Sequence, residues 1–470
     1  MPDRRPNIIL FMTDQQRFDT VAALGFPHMI TPNLDRLARE GMSFTNAFVT
    51  APSCVPSRAS FFNMRYPLSM GVSRNASRWQ HSWVESLQQA GYHTVNVGKM
   101  HTVPPDAPCG FDQRFIVENK DRPARDTPHG VLLDEWDKAL AFAGVRKPSR
   151  LAYRDEHPEY ATALGAYEWT LEERFHPDAF VGDMARRIVE GRRSSSPLFL
   201  QVGFPGPHPP YDPPGRLIRM YEDRPLPVPE VTGRELAGQT PAHRVLRQVM
   251  IEGNHDAVRW SERPTHAQLL RLRRFYAANV TLIDEKIGEI MQALGAGGYL
   301  DDAIVVFTSD HGDALGDHGL IQKWSMYDCV LRAPLIVSWP GRLAAGSADP
   351  RLIQQMDIAP LLLEAAGVPL PDGIHATALA SGLPPGRLQV FAEHGRDSMY
   401  RDIRVVSMVR TTGHKLVHYL DEPWGELYDL TRDPGETDNL WNDVACAGVR
   451  RELMDRLVSW RFAAAAGLLP

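Results

Sequence analysis

The sequence has few cysteines, and they lie far apart. Four occur in 470 residues, and no two of them form a Cys-x-x-Cys pair. A disulfide framework and a structural zinc cage both need clustered cysteines, so both are excluded. Scattered thiols are typical of a reducing compartment, and we predict a cytoplasmic protein.

The sequence also lacks long hydrophobic runs. The apolar run at residues 7–12 is too short for a signal peptide, and Thr13 and Asp14 follow it at once. No run approaches the roughly 20 apolar residues of a membrane-spanning helix. We therefore expect no membrane partner.

Basic residues are not in excess either. The chain has 51 Lys and Arg residues against 57 Asp and Glu residues, which gives a formal net charge of −6. The short arginine clusters at residues 192–193 and 271–274 are typical of solvated helix ends. This balance argues against nucleic-acid binding, and no nucleic-acid partner is expected.

The chain does carry a clear α/β pattern. A length of 470 residues is too long for one small core and predicts a large domain with a smaller one. Continuous apolar runs, typical of strands buried on both faces, alternate with amphipathic segments. These runs lie at residues 7–13, 93–97, 198–203, 303–308 and 335–339. The predicted fold is α/β, with a large, mostly parallel sheet flanked by helices.

Other segments define the domain organisation. We predict a catalytic domain at residues 1–375, with a long amphipathic helix at residues 266–294. Two stretches without sustained periodicity, at about 111–176 and 209–264, are predicted to be irregular insertions. Residues 376–470 are predicted to form a smaller C-terminal α+β subdomain. A boundary stretch at 371–387, a hairpin at 403–409 and 415–420, and a closing helix at 449–464 carry this prediction.

The sequence Cys54-Val55-Pro56-Ser57-Arg58 predicts a nucleophile in an anion site. Pro56 suits the first turn of a helix, which places Cys54 at or just before the helix N-terminus. The unpaired N–H groups and the helix dipole favour a negative oxygen there, and Arg58 adds a cation. The alternative for a lone Cys-x-Pro is a small buried cysteine beside a structural arginine.

Four predicted strands end in residues that carry chemistry. Asp14 ends the first, and Lys99 and His101 follow the second. His208 follows the third, and Asp310 and His311 end the fourth. Ligands bind beyond the carboxyl ends of strands in such sheets, so we expect these residues to form one site. The carboxylates of Asp14 and Asp310 with the His311 imidazole suit Ca²⁺ or Mg²⁺ and leave Mn²⁺ open.

The run from Cys54 to Arg58 resembles the signature of type I sulfatases, the formylglycine-dependent members of the alkaline phosphatase-like superfamily. In that family the cysteine is oxidised to formylglycine, whose hydrated aldehyde is the nucleophile. The resemblance extends from Asn7 to the Glu426-Leu427-Tyr428-Asp429-Leu430 run, with the motifs in the family's order. It implies a metal-dependent sulfuric ester hydrolase, and a formylglycine-generating enzyme as a transient partner.

The resemblance also assigns the metal site. Asp14, Asp310 and His311 match the family's metal ligands, and the formylglycine formed at Cys54 completes the set. Ca²⁺ is the metal that this implies, with Mn²⁺ and Mg²⁺ as alternatives. Gln15 stands where many sulfatases have a second aspartate, so the site is expected to be less negative.

Further motifs resemble the family's catalytic elements. Lys99 and His101 resemble its Gly-Lys-x-His pair, His208 its Pro-His-Pro-Pro element, and Lys323 its Gln-Lys element. Arg58, Lys99 and Lys323 would stabilise the charge of the sulfate group. His208 would protonate the leaving oxygen, with Lys323 as second candidate. His101 would take the proton from the sulfated hydrate and so expel sulfate.

Two other functions remain open at this point. Phosphonate monoester and phosphodiester hydrolases share the fold and the formylglycine, but they tend to lack the Gly-Lys-x-His pair. Lys99 and His101 therefore favour a small sulfate ester as substrate. A non-catalytic metal and anion binder, in which Cys54 is never converted, is the third interpretation. Neither the natural substrate nor the oligomeric state follows from the sequence.

Overall fold

The computed structural model describes residues 5–118, 120, 134–253, 255–377 and 386–469. The strands of the described part are β1 (Asn7–Asp14), β2 (Met42–Phe48), β3 (His93–Gly98), β4 (Gln113–Ile116), β5 (Leu198–Pro207), β6 (Ala303–Ser309), β7 (Leu335–Ser338), β8 (Ser347–Gln354), β9 (Val390–Gly395), β10 (Val405–Arg410), β11 (His414–Tyr419) and β12 (Gly425–Asp429). The α-helices are α1 (Pro32–Glu40), α2 (Cys54–Asn63), α3 (Val84–Gln89), α4 (Glu135–Phe142), α5 (Arg150–Glu156), α6 (Pro177–Gly191), α7 (Gly215–Arg219), α8 (Gly233–Gly238), α9 (Pro241–Glu252), α10 (His266–Ala296), α11 (Asp328–Leu331), α12 (Ile358–Ala365) and α13 (Ala447–Ala466).

An eight-stranded sheet forms the centre of the molecule. Its strand order is β4-β3-β5-β1-β6-β7-β2-β8. Only β7 runs antiparallel to its neighbours in this described sheet. Ile8, Leu10 and Met12 of β1 pack into the core on one face, while Ile9 and Phe11 pack into the core on the other. The predicted mostly parallel sheet, covered by helices on both faces, is confirmed.

The register of the sheet brings the predicted strand ends together. Thr13 of β1 pairs with Ser309 of β6, so Asp14 and Asp310 leave the sheet side by side. On the other flank, β3 approaches β5 so closely that a Cβ on Gly98 would lie 2.1 Å from the Gly203 carbonyl oxygen. Gly98 also has a φ of 93°, a conformation that favours glycine. These contacts fix the direction in which the chain leaves β3 at Lys99.

The two segments predicted to be irregular contain helices. Helices α4 and α5 form within residues 111–176, and α7, α8 and α9 form within residues 209–264. The structure therefore differs from the prediction at these helices, and the assignment of the two stretches as insertions stays a prediction. In α9 the proline occupies the first helical position, where its missing N–H costs nothing, and Leu246 and Met250 are buried. Residues 119, 121–133 and 254 lie outside the described residues.

The C-terminal part forms a second, antiparallel sheet of order β12-β11-β10-β9, together with α13. The predicted hairpin is confirmed as β10 and β11, and the closing helix as α13. Residues 378–385 of the predicted boundary lie outside the described residues, and the division at residue 375 stays a prediction. Among the described residues, no helix combines the length and apolarity needed to cross a membrane.

Lys415 of β11 ties this second sheet to the large one. Its side chain is fully buried, and Nζ donates to the Met326 carbonyl oxygen at 3.0 Å. The same ammonium group forms ion pairs with Asp328 and Glu436. A buried lysine requires such partners, because an unpaired buried charge is costly. We call this group, Lys415 with Met326, Asp328 and Glu436, the lysine anchor.

The aromatic core behind α2 gives a test of the fold. Phe62 is fully buried and stacks on Trp79 and Trp83, with ring centroids 6.1 and 5.9 Å away. Phe62→Ala is expected to lower the free energy of unfolding by about 3–5 kcal/mol, because it leaves a cavity. Urea denaturation measures this change. Phe142→Ala, at a side chain that is 97% exposed, is the control and should change it by less than about 0.5 kcal/mol. Equal losses of unfolding free energy in the two variants would contradict the packing described for Phe62.

Candidate active site

Cys54 is the first residue of α2 and is 1% exposed. Its Sγ lies 3.2 Å from His311 Nε2, 3.2 Å from Lys323 Nζ and 3.6 Å from Asp14 Oδ1. The predicted position at a helix N-terminus is confirmed. The thiol therefore lies among two groups that can carry positive charge and one carboxylate.

Arg58 lies one turn along α2 and is also fully buried. Its Nε donates to Asp310 at 2.7 Å, and one terminal nitrogen donates to Asp14 at 3.2 Å. The other terminal nitrogen donates to the Lys99 carbonyl oxygen at 3.0 Å. Burial disfavours the charged guanidinium, but Asp310 and Asp14 raise its pKa above the usual range. Arg58 thus joins the ends of β1, β3 and β6.

Lys99 adds a second buried cation at the end of β3. Its Nζ lies 2.9 Å from Asp14 Oδ2. Burial alone would raise the pKa of Asp14, but Lys99, His208 and Arg58 hold it well below its usual range. Asp14 is therefore an ionised carboxylate inside the protein.

His311 is oriented towards the thiol by its backbone. Its Nδ1 lies 2.8 Å from the Gly312 carbonyl oxygen, which can only accept, so Nδ1 carries a proton and Nε2 faces Cys54. Burial lowers the pKa of His311, but Asp310 and Cys54 together raise it to about 9. The negative groups that stabilise a proton on this imidazole would also stabilise another positive charge at the same place, such as a cation.

These residues fit a metal ion. Each of Asp14, Cys54, Asp310 and His311 offers a buried ligand atom, and these atoms lie within 4.8 Å of one another. Carboxylate oxygens with one imidazole suit a hard or intermediate divalent cation. The hydrogen bond from His311 to a backbone carbonyl is the support that metal-binding histidines usually have.

Gln15 makes contacts that the sequence did not predict. Its amide nitrogen donates to Asp313 Oδ2 at 2.6 Å, and its amide oxygen accepts from Lys323 Nζ at 2.9 Å. Tyr211 also donates to Asp313, at 2.7 Å. Asp313 is fully buried, so its charge needs these hydrogen-bond partners. Gln15 therefore connects Lys323 to a buried carboxylate.

Lys323 approaches the thiol from the loop after β6. Although burial favours the neutral amine, Cys54, Asp256 and Asp14 raise the pKa of Lys323 above its usual range. Its ammonium group is therefore a fixed cation beside Cys54, in line with the charge expected of it.

The two remaining histidines lie at the same edge of the sheet. His208 follows β5, and its Nδ1 lies 2.7 Å from the Pro209 carbonyl oxygen. Burial and Lys323 lower the pKa of His208 to about 3, whereas Asp256 and Asp14 oppose this shift. His101 follows Lys99, and its backbone N–H donates to Glu118 at 2.8 Å. The structure thus brings seven of the nine predicted site residues into direct contact. His208 lies close enough to Lys323 and Asp14 to interact with their charges, and His101 follows the end of the neighbouring strand β3.

Sequence reasoning missed several residues around this group. Asp256 lies beside His208. Asp212 forms an ion pair with Lys120, with 2.5 Å between Oδ1 and Nζ. Lys120 also donates to the His208 carbonyl oxygen at 3.2 Å. These residues come from the two segments without periodicity, and no spacing in the sequence relates them to a strand end. Among the residues that sequence reasoning missed, Asp313 alone could have been recognised, because it lies two positions after the predicted ligand His311.

Comparisons with known proteins agree with this geometry. Residues 6–368 match the Sulfatase family, and residues 316–463 match the family described as N-sulphoglucosamine sulphohydrolase, C-terminal. An arylsulfatase of Clostridium perfringens (strain 13 / Type A) is 30% identical over 454 residues, covering 93% of this chain and 90% of that protein. A choline-sulfatase of Rhizobium meliloti (strain 1021) is 29% identical, covering 94% of this chain and 83% of that protein.

The fold has solved counterparts as well. The crystal structure of a phosphonate monoester hydrolase of Agrobacterium radiobacter superposes with a TM-score of 0.78 at 24% identity. The superposition covers 98% of this chain and 96% of that one. Likeness at this identity concerns the architecture alone. With the family match over most of its length, the chain belongs to the sulfatase family of hydrolases.

Proposed function

We propose that this sulfatase hydrolyses a small sulfate monoester and releases inorganic sulfate, with a formylglycine derived from Cys54 as the nucleophile. The observation that supports it is the Cys54 side chain at a helix N-terminus, 3.2 Å from Lys323 Nζ. Arg58 and Lys99 lie behind it, paired with Asp14. The ammonium groups of Lys323 and Lys99 suit the non-bridging oxygens of a sulfate ester.

The proposed cofactor is one divalent metal ion, with Ca²⁺ favoured and Mn²⁺ or Mg²⁺ as alternatives. Asp14, Asp310, His311 and the group formed at Cys54 would hold it. When bound, the ion would neutralise charge on the sulfate oxygens as a Lewis acid. Formylglycine would supply, as a hydrate, a hydroxyl nucleophile that a thiol does not offer.

The contacts of Lys99, Lys323 and Arg58 support the roles proposed for them. Lys99 and Lys323 are proposed to bind sulfate oxygens, because each has an ammonium group at the edge of the cluster. Arg58 gives its three nitrogens to Asp310, Asp14 and a backbone carbonyl, so we assign it to holding the two carboxylates. His208 donates a proton to the departing oxygen, and His101 accepts one in the step that releases sulfate.

The first test compares the hydrolysis rates of sulfate esters with poor and good leaving groups. His208→Ala should slow hydrolysis of alkyl sulfates by about 10²–10⁴-fold, because an alkoxide leaves poorly without a proton. It should slow p-nitrophenyl sulfate far less, since nitrophenolate leaves with little help. Steady-state kinetics on both substrates measure the difference.

His101→Ala is the matched comparison for this test. Because release of sulfate follows departure of the alcohol, the loss should be equal for every ester. The roles would have to be reassigned if His208→Ala lowered the rates with both substrates by the same factor. A strong dependence of the His101→Ala rate on the leaving group would require the same.

The second candidate function is hydrolysis of phosphonate monoesters or phosphodiesters. The phosphonate monoester hydrolase that shares the fold favours it, at a TM-score of 0.78. Lys99 beside Asp14 favours sulfate instead, in line with the Gly-Lys-x-His pair. Turnover of p-nitrophenyl sulfate compared with phenyl phosphonate esters decides between them.

Further assignments belong with this proposal. We propose that residues 1–375 form the catalytic domain and residues 376–470 the smaller subdomain. A formylglycine-generating enzyme would act on Cys54 as a transient partner. The four cysteines are all unpaired, which supports the proposed cytoplasmic location.

A further inference from the structure

A buried carboxylate that has no role in the proposed function lies against His208. Asp256 is 1% exposed, and its Oδ2 lies 3.4 Å from His208 Nε2. The same oxygen lies 2.9 Å from His255 Nδ1, and Oδ1 lies 3.0 Å from an Arg150 nitrogen. Three groups that can carry positive charge therefore converge on one aspartate.

The backbone that presents Asp256 is strained. The Val258 N–H donates to the His255 carbonyl oxygen at 3.0 Å, which closes a tight turn over Asp256 and Ala257. Both central residues are left-handed, with φ of 53° and 58°. Asp tolerates this conformation, but Ala adopts it at a cost that Asn or Gly would avoid. Strained turns of this kind persist where the surrounding structure and function require them.

The contacts of the turn explain how it is held. Tyr167 donates to the Ala257 carbonyl oxygen at 3.2 Å, and Gln322 donates to the His255 carbonyl oxygen at 3.2 Å. The His255 ring also packs edge-on against Trp324, with ring centroids 5.0 Å apart. Gln322 and Trp324 flank Lys323. The turn is thus fixed to the same loop that carries a proposed sulfate-binding lysine.

The hydrogen bonds of His208 show why a carboxylate matters there. Nδ1 faces the Pro209 carbonyl oxygen at 2.7 Å, so Nδ1 carries a proton. If the ring were neutral, Nε2 would then have only a lone pair, would repel Asp256, and would have no proton to give. With a proton on Nε2 as well, the ring is a cation beside an ionised Asp256.

Charges on every side of His208 act on this proton. Burial and Lys323 disfavour the cation and outweigh Asp256 and Asp14, so the ring of the free protein is neutral near pH 7 and takes up the second proton only when further negative charge is added beside it. Lys120 contacts the His208 backbone carbonyl. Of the two carboxylates, Asp256 is the one in contact with the ring. An anionic sulfate ester bound nearby adds a further negative charge on the same side of the balance.

We propose that Asp256 is a positioning residue, which holds the proton on His208 Nε2 and directs it to the departing oxygen. This inference rests on the proposed function. As the bond between sulfur and the leaving oxygen breaks, its electron pair stays on that oxygen and the Nε2 proton moves there. His208 is left neutral, and Asp256 stays ionised throughout.

The test uses Asp256→Asn in the full-length, metal-loaded enzyme. Asn keeps the shape of Asp and tolerates the left-handed turn, but it removes the charge. We expect the rate with an alkyl sulfate to fall about 10–100-fold, a share of the effect of general acid catalysis. The rate with p-nitrophenyl sulfate should fall by less than about threefold. Ala257→Gly is the matched control, since it relaxes the same turn without changing the carboxylate, and should keep the wild-type ratio between substrates.

A double-mutant cycle gives the second readout. In the His208→Ala background, Asp256→Asn should cause no further loss, because there is no proton left to position. If Asp256 had a purely structural role, Asp256→Asn would lower the rates with both substrates by the same factor. It would also lower them further in the His208→Ala background. Either result overturns the inference. If Asp256→Asn does not fold, Asp256→Gly suits the backbone and carries the same expectations. Wild-type enzyme that hydrolyses neither sulfate ester would refute the proposed function itself, and this inference with it.

Discussion

Replacing Cys54 by alanine is expected to abolish sulfate ester hydrolysis. The side chain is the precursor of the proposed nucleophile, and loss of a nucleophile costs roughly 10⁴–10⁶-fold in kcat. The protein should still fold, because the thiol is small and the α2 helix is buried along its length. Turnover of p-nitrophenyl sulfate and the circular dichroism spectrum measure both expectations.

A matched cysteine controls for the chemistry of the substitution. Cys329 is also buried, as the second residue of α11, and it is not one of the four residues of the metal group, so Cys329→Ala should retain turnover. Mass spectrometry of the tryptic peptide at residues 40–58 gives the direct readout. Conversion to formylglycine replaces sulfur by oxygen and removes two hydrogens. Unmodified cysteine in a fully active sample, or wild-type turnover of Cys54→Ala, would refute the mechanism.

Removal of the metal is the second change with a large expected effect. Chelation should eliminate turnover, and adding back Ca²⁺, Mn²⁺ or Mg²⁺ in turn should identify the ion that restores it. Asp310→Asn should lower metal occupancy and reduce kcat by about 10²–10³-fold, the range for loss of one preorganised electrostatic group. The reason is that Asp310 is both a proposed ligand and the 2.7 Å partner of Arg58.

Asp301→Asn provides the control, because Asp301 is exposed and precedes the opposite end of the same strand. Its metal content and turnover should equal those of the wild type. Elemental analysis of the purified variants measures occupancy. Full occupancy in Asp310→Asn would contradict the assignment of this carboxylate as a ligand.

The sequence predicted the parts of the fold that local pattern determines. Strand β1 is apolar at every position from Ile8 to Met12 because both of its faces are buried in hydrophobic core. This pattern can be recognised from the sequence alone. Strand β8 was missed because it carries Pro350 and charged residues. It is one of the two edge strands of the described sheet, where proline is tolerated.

The site divides in the same way. Asp14 ends a strand, and Lys99, His208 and Asp310 each follow one, so topology alone brings them to one edge. The contact of Asp256 with His208 depends instead on how two loops pack in three dimensions. Gln15 shows the same limit, since its amide binds Lys323 and Asp313, residues about 300 positions away in the chain. Such contacts leave no periodicity to detect.

The lysine anchor has a consequence for protein engineering. Met326 and Asp328, which Lys415 holds, come within five residues of Lys323 along the chain. Tyr400 also donates to the Trp324 carbonyl oxygen, from the same C-terminal part. A chimera that joined this N-terminal half to the C-terminal half of another sulfatase would replace both of these contacts at once. Such an exchange is therefore expected to alter the position of Lys323, although Lys323 itself would be unchanged.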